Sequence, residues 1–414
     1  TLRALTTFQI GWMETRDVAV LTSNSIAALR SEQVQALSIS QIAGLTTQQV
    51  FDLNSTTLRT LTVKQIVSIE TRDIAVLAAA RLDAFSSTQI LALTDGQIKA
   101  LTTTQVNGIN STTLRTLDLD QIRVLETSDV AALTSNNIAA LTSLQLRVLS
   151  PTQVSSFTTD QLSSLSTTTL ALLTAIQMGG LSAEKINNLS TTKVAVLSAT
   201  QVGGFSTTQV SGLSTGALKA LNTSAIAVLS ASQIKSLTTT QAASITTTTL
   251  GALKAAQIGF LETQDLAALS STALGALSGA QAAGLTTAQL ASLTDDKLAN
   301  LSTSAVAALS AKIQIPALTS SQLAGLNSTT LRALTTLQIA GLTTGHIAVL
   351  STASTAALLS VQVKSLSTTK IAALKTSNIA VLSSDNLSVL SGTQVKALRT
   401  EQIVALTTLQ ASSL

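Results

Sequence analysis

His346 is the single histidine in the chain, so any imidazole acid–base, nucleophilic or metal chemistry would have to pass through it. A zinc centre needs three or four N, S or carboxylate ligands, and cysteine is absent. A Ser-His-Asp nucleophile would need the same ring, and Ser and Thr are too frequent for any one to stand out. Carboxylates come next. Asp295 and Asp296 are adjacent, and Glu184 and Asp385 have similar local settings; such acids can serve paired acid–base work or Ca²⁺. Glu14 with Asp17, Glu70 with Asp73, Glu126 with Asp129, and Glu262 with Asp265 repeat one spacing. No acidic calcium loop or glycine-rich phosphate cradle accompanies them. Arg3, Arg59, Arg115 and Arg332 form a possible cationic stripe, and Trp12 is the only indole. Asn-x-Ser/Thr occurs at Asn54, Asn110, Asn188, Asn222, Asn300, Asn327 and Asn386, a pattern of low specificity in so hydroxyl-rich a chain.

All of these residues sit in one frame. From Thr6 onward the chain divides into 51 octads with a single extra residue in SAKIQIPAL, 310–318. Each reads [S/T]-[S/T]-x-Q-[I/V/L]-x-small-L. Position one offers a hydroxyl or carbonyl oxygen to a helix start, and the position-four Gln completes a capping box. The Leu ending one octad and the aliphatic at position five of the next form a hydrophobic staple. Pro151 falls at the first helical position, where its missing N–H costs nothing. Positions five and eight share one face of a helix, whereas in a strand they would face opposite ways. The pattern predicts an all-α fold: an α-solenoid of short helices, one per octad. A β-solenoid is the alternative, since Thr, Val and Ile favour strands.

In this register the candidate groups have plain duties. His346 takes the place of the capping Gln, the acids fall in first helical turns where the dipole favours anions, and the arginines are expected to be solvated. No catalytic, cofactor-binding or metal residue is assigned, and no cofactor is expected. A helix of about seven residues cannot survive alone in water, so stacking on neighbouring coils must supply the stability. The small residues at position seven are the expected points of close approach. No Gly follows the helices to close their last carbonyls, so another donor, Gln or Thr from an adjacent coil, is required.

Composition narrows the function. Hydrophobic residues make up 45% and charged residues 11%, which favours a packed aliphatic core over disorder. A net charge of +4 is too dilute for a nucleic-acid footprint. No apolar run is long enough for a membrane helix. NSTTLRTL occurs at 54 and again at 110, and ETRD recurs at 14 and 70. That 56-residue spacing is seven octads, which reads either as a duplication or as two coils of about three and a half octads. The expected organisation is one continuous solenoid over 1–414, lacking polar capping repeats and so reading as a segment of a longer array.

The TTxQIAAL-type run resembles octapeptide-repeat regions of very large bacterial surface or secreted proteins, over the whole chain. That resemblance implies an extracellular or cell-surface role as filament, sheath or adhesin stalk. The T-x-x-Q-V core is also similar to the T-P-E-Q-V opening of transcription-activator-like effector repeats. Those are several times longer and carry paired base-reading residues that are missing here. The functional expectation is a structural repeat protein that associates with itself, and not an enzyme. The alternative is a scaffold for a protein or glycan partner.

Overall fold

The computed structural model describes residues 2–414. Fifty α-helices of four to six residues follow one another, and no strand occurs among the described residues. The fold is therefore an α-solenoid, and the β-solenoid alternative is excluded. Each octad contributes one helix except 310–318, which turns through the short 3-10 helix Ile315–Ala317.

The helices start where the capping pattern places them. Thr46 caps Thr47–Asp52 with its side chain on the Gln49 amide, and the Gln49 side chain accepts from the Thr46 amide in return. Pro151 opens Pro151–Ser155 behind the Ser150 cap. The helices are shorter than the seven residues expected, because position eight leaves the helical region. Leu37 (φ −61°, ψ 131°) and the following Ser38 (φ −69°, ψ 160°) are both extended. Two extended residues per octad redirect the chain without any left-handed residue; no positive φ occurs among the described residues.

The aliphatics at positions five and eight form the core. Ile66, Ile98, Leu146 and Ile234 at position five are fully buried, and Leu61, Leu149 and Leu237 at position eight nearly so. Burying such a pair contributes on the order of 3–6 kcal/mol per octad.

The chain packs as two compact units, Thr1–Gly204 and Phe205–Leu414, with the boundary inside the octad 198–205. Within each unit a helix packs against the helix three octads away, as Thr7–Gly11 does against Ser31–Ala36 and Thr239–Ala243 against Thr263–Ala268. The small residue at position seven makes this approach possible. A methyl added at Gly44 would lie 2.1 Å from the Thr15 γ-methyl, and one at Gly284 would lie 2.3 Å from the Ala255 carbonyl oxygen. In both cases position seven meets position two of the octad three earlier.

The extra residue near 310 is absorbed locally. Ser310 N–H donates to Gln314 four residues on instead of three, and Ile313 is extruded with 65% of its surface exposed. Coil spacings lengthen by one across it, from 28 and 31 residues at Gln289 to 29 and 32 at Gln322. At Gln362 they have returned to 28 and 31.

Candidate functional site

Position four, which carries His346, several acids and several lysines, forms a seam between coils within each unit. Gln161 is representative. Its Oε1 accepts from Thr158 N–H at 2.8 Å, and its Nε2 donates to the Val130 and Leu133 carbonyls at 3.0 and 2.6 Å. One side chain thus caps its own helix and closes the C-terminus of the helix four octads earlier. Gln41, Gln97, Gln289 and Gln402 repeat the pattern. The donor missing from the helix C-termini is this amide, which replaces a C-terminal glycine.

Helices pack on the third octad away, while the glutamine reaches back to the fourth. A coil therefore holds between three and four octads, and seven octads make two coils. This gives the 56-residue spacing a geometric meaning: within a unit, residues 56 apart return to the same side two coils later.

Several other residues at position four meet part or all of what the seam offers, an acceptor toward the cap amide and a donor toward the carbonyls. His346 meets both. Its Nδ1 accepts from Thr343 N–H at 3.3 Å, and the ring also bonds the Leu318 carbonyl. Burial lowers its pKa below the usual imidazole value, with the Leu318 bond opposing the shift. Asn137, Asn378 and Asn386 donate to the carbonyls 28 residues earlier at 2.6, 3.0 and 3.0 Å. Lys185, Lys193, Lys297 and Lys370 place their ammonium groups on carbonyls 30 residues earlier, and Arg81 bonds the carbonyls of Phe51 and Leu53.

The remaining candidates do not converge. Glu184, Asp296 and Asp385 are exposed in separate first turns, and Asp295 accepts from the Ser321 hydroxyl at 2.8 Å. Among the described residues no group of three or more His, Cys, Asp or Glu is placed to share a metal ion. Arg3, Arg59, Arg115 and Arg332 are exposed, although Arg59 Nε also donates to the Ala84 carbonyl at 3.2 Å. Asn54, Asn110, Asn222 and Asn327 are helix caps. Asn188 and Asn300 bond carbonyls four residues back. Trp12 is no core residue: it is 76% exposed and tilted against Phe8, itself 69% exposed, with ring centroids 5.5 Å apart. Their i, i+4 spacing was the available sequence signal for this pair.

Two surface recesses went unforeseen. One, of about 590 Å³, is lined by Arg3, Leu29, Asn54, Thr56, Thr57 and Thr60 among others. The second, of about 170 Å³, is lined by Phe85, Asn110, Thr112, Thr113 and Thr116. Their shared lining positions are 56 residues apart. Both are lined by a threonine at position four, Thr57 or Thr113, where Gln is the commonest residue. Asp83 narrows the second by accepting from the Thr113 hydroxyl at 2.9 Å.

Register, core and seam together describe a tandem array. Five stretches match the ALTTAQ repeat. They cover 10–47, 66–103, 122–159, 258–295 and 315–352. The chain is thus a repeat protein. Every ALTTAQ match begins on a position-five isoleucine: Ile10, Ile66, Ile122, Ile258 and Ile315. The first three begin 56 residues apart and the last two 57 apart, the difference being the extra residue near 310. The six letters of the repeat's description correspond to positions seven, eight and one to four, as in ALTTLQ at 333–338. No curated protein matches the chain.

Proposed function

We propose that this repeat protein is a structural scaffold, a stiff spacer that associates with copies of itself at a bacterial cell surface or outside the cell. The observation that carries this reading is the use of position four. His346 and the lysines at position four serve coil-to-coil closure, and the buried Asp73 and Asp265 accept from hydroxyls of an earlier coil, so these reactive groups are engaged in packing. On this reading the chain performs no catalytic step. Self-association is supported by large apolar side chains held outward at position three, among them Phe8, Leu144, Ile176, Leu337 and Leu409, each more than 60% exposed. Set in a hydroxyl-rich, weakly charged surface, they can be covered by another copy at little desolvation cost. No helix among the described residues is long and apolar enough to cross a membrane, which accords with a scaffold that spans none.

Electron microscopy of the purified protein tests the proposal. Ordered filaments or lateral arrays are expected; dispersed single particles at high concentration would refute self-assembly. The paired Asn/Thr recesses favour a second reading, a scaffold for a glycan partner, since their hydroxyl, amide and guanidinium linings match sugar hydroxyls. Glycan binding that Asn54→Ala and Thr57→Gln abolish, without loss of helicity, would establish it over the first.

A further inference from the structure

We propose that Asp265 keeps its proton in the folded array and donates it to the Leu237 carbonyl, forming a clasp between coils that acid tightens and alkali opens. The inference does not depend on the scaffold reading. Asp265 stands at position four of the octad 262–269 with 1% of its surface exposed. Its Oδ1 accepts from the Thr239 hydroxyl at 3.0 Å. Its Oδ2 is the one buried side-chain N or O without a hydrogen-bond partner among the described residues.

Asn386, in the same unit and at the same octad position, shows what that oxygen faces. Its Oδ1 also accepts from a hydroxyl 26 residues earlier, that of Ser360, at 3.0 Å. Its Nδ2 donates to the Leu358 carbonyl, 28 residues earlier, at 3.0 Å. Asp265 has the same shape with Oδ2 in place of Nδ2, and Leu237 lies 28 residues before it. Ionised, Oδ2 would hold a negative charge against a carbonyl dipole. Protonated, Oδ2 has the donor that the asparagine Nδ2 supplies at the equivalent place.

The surroundings supply no competing cation. In the octad 70–77 the Arg72 guanidinium stands 3.6 Å from the equivalent Asp73, but in 262–269 position three is Gln264. The helices packed on Thr263–Ala268, namely Thr239–Ala243 and Thr287–Ser292, carry no charge. Lys235 is the one charged residue of Ala231–Lys235, and Lys297 bonds the Ala267 carbonyl at the other end of the octad. Glu262, on the same octad, repels the ionised form. Burial pushes the Asp265 carboxyl above its usual range; the Thr239 hydroxyl offsets part of this and Glu262 adds to it.

The sign follows from linkage. The folded state holds this proton more tightly than the unfolded chain, so the stabilisation is complete below the unfolded value of about 3.9. It is lost as pH rises through the higher folded value. Thermal unfolding of the full chain and of Asp265→Asn, followed by circular dichroism across that range, tests the clasp. Asn should raise the midpoint by about 2–4 °C at alkaline pH, and the gain should vanish in acid. An equal difference at both ends of the range would overturn the proposal. Infrared difference spectra of wild type against Asp265→Asn should show the stretch of a protonated carboxylic acid in mild acid; its absence overturns the proposal independently. A midpoint rise with millimolar CaCl₂ at alkaline pH, abolished by Asp265→Asn, would reassign the site to a metal ion and refute the proton. Asn already occupies position four three times, and Asp265→Gln, which restores the commonest residue, provides a second variant.

Discussion

Removing one seam amide should open a coil junction at a cost that can be worked from its bonds. Gln161→Ala leaves the Thr158 amide without its 2.8 Å acceptor and the Leu133 carbonyl without its 2.6 Å donor. Gln161 is 2% exposed, so water does not readily replace either bond. Each buried group left unpaired costs about 1–3 kcal/mol. Alanine returns less than about 0.7 kcal/mol through helix propensity. The expected net loss is about 2–5 kcal/mol, a large share of the roughly 5–15 kcal/mol of a folded domain. Urea unfolding followed by the helical circular-dichroism signal measures it. Asp160→Ala, at the neighbouring exposed position, is the control and should change stability by less than about 0.5 kcal/mol. Gln161→Asn should recover part of the loss, because Asn137 in the same seam reaches the Ile109 carbonyl. If Gln161→Ala proves no more costly than the Asp160 control, the amide does not hold the coils together and the seam argument fails.

The other predictions test separate parts of the structure. His346, whose folded pKa lies below its unfolded one, should make the chain lose stability as pH falls from about 6.5 through the folded value; His346→Gln should remove that loss in a pH series of thermal midpoints. Gly284→Ala should destabilise by forcing a methyl against the Ala255 carbonyl oxygen. Gly251→Ala meets nothing within 4 Å and should stabilise by about 0.5–1 kcal/mol, so denaturant midpoints should move in opposite directions. Deleting the exposed Ile313 should leave helicity and the unfolding midpoint close to wild type, because Gln314 can then cap at the usual spacing; a large midpoint loss would show that the bulge is required.

Local physics made much of this legible in advance. The Thr46–Gln49 box, Pro151 at a helix start and the burial of positions five and eight all follow from interactions within a few residues, which the octad pattern displays directly. The need for an outside donor at the helix ends was equally readable, since no glycine is placed to close them. Helix length was overestimated, because backbone propensity does not show that each position-eight Leu must turn extended to send the chain into the next coil. The exposed pairing of Trp12 with Phe8 depends on which face the solenoid turns outward. The recesses beside Thr57 and Thr113 were invisible, because a recess between coils appears only once the neighbouring coil is in place.

That each eight-residue unit starts a helix, which face of it is apolar, and that no unit could stand alone all follow from the order of residues. Those properties rest on contacts between residues three to five apart, and the order of residues specifies such contacts completely. Which distant octads meet is set by the winding of the chain, with helix packing on the third neighbour and amide closure on the fourth. The winding also decides the meaning of each residue at position four. A buried Gln, Asn or His there, or a half-buried Lys, is satisfied because carbonyls some 28 to 31 residues back await a donor. The Asp265 carboxylate is left with an unpaired oxygen at the same place because it brings no proton of its own when ionised. That distinction depends on groups four octads away, brought within hydrogen-bonding distance by the winding of the chain.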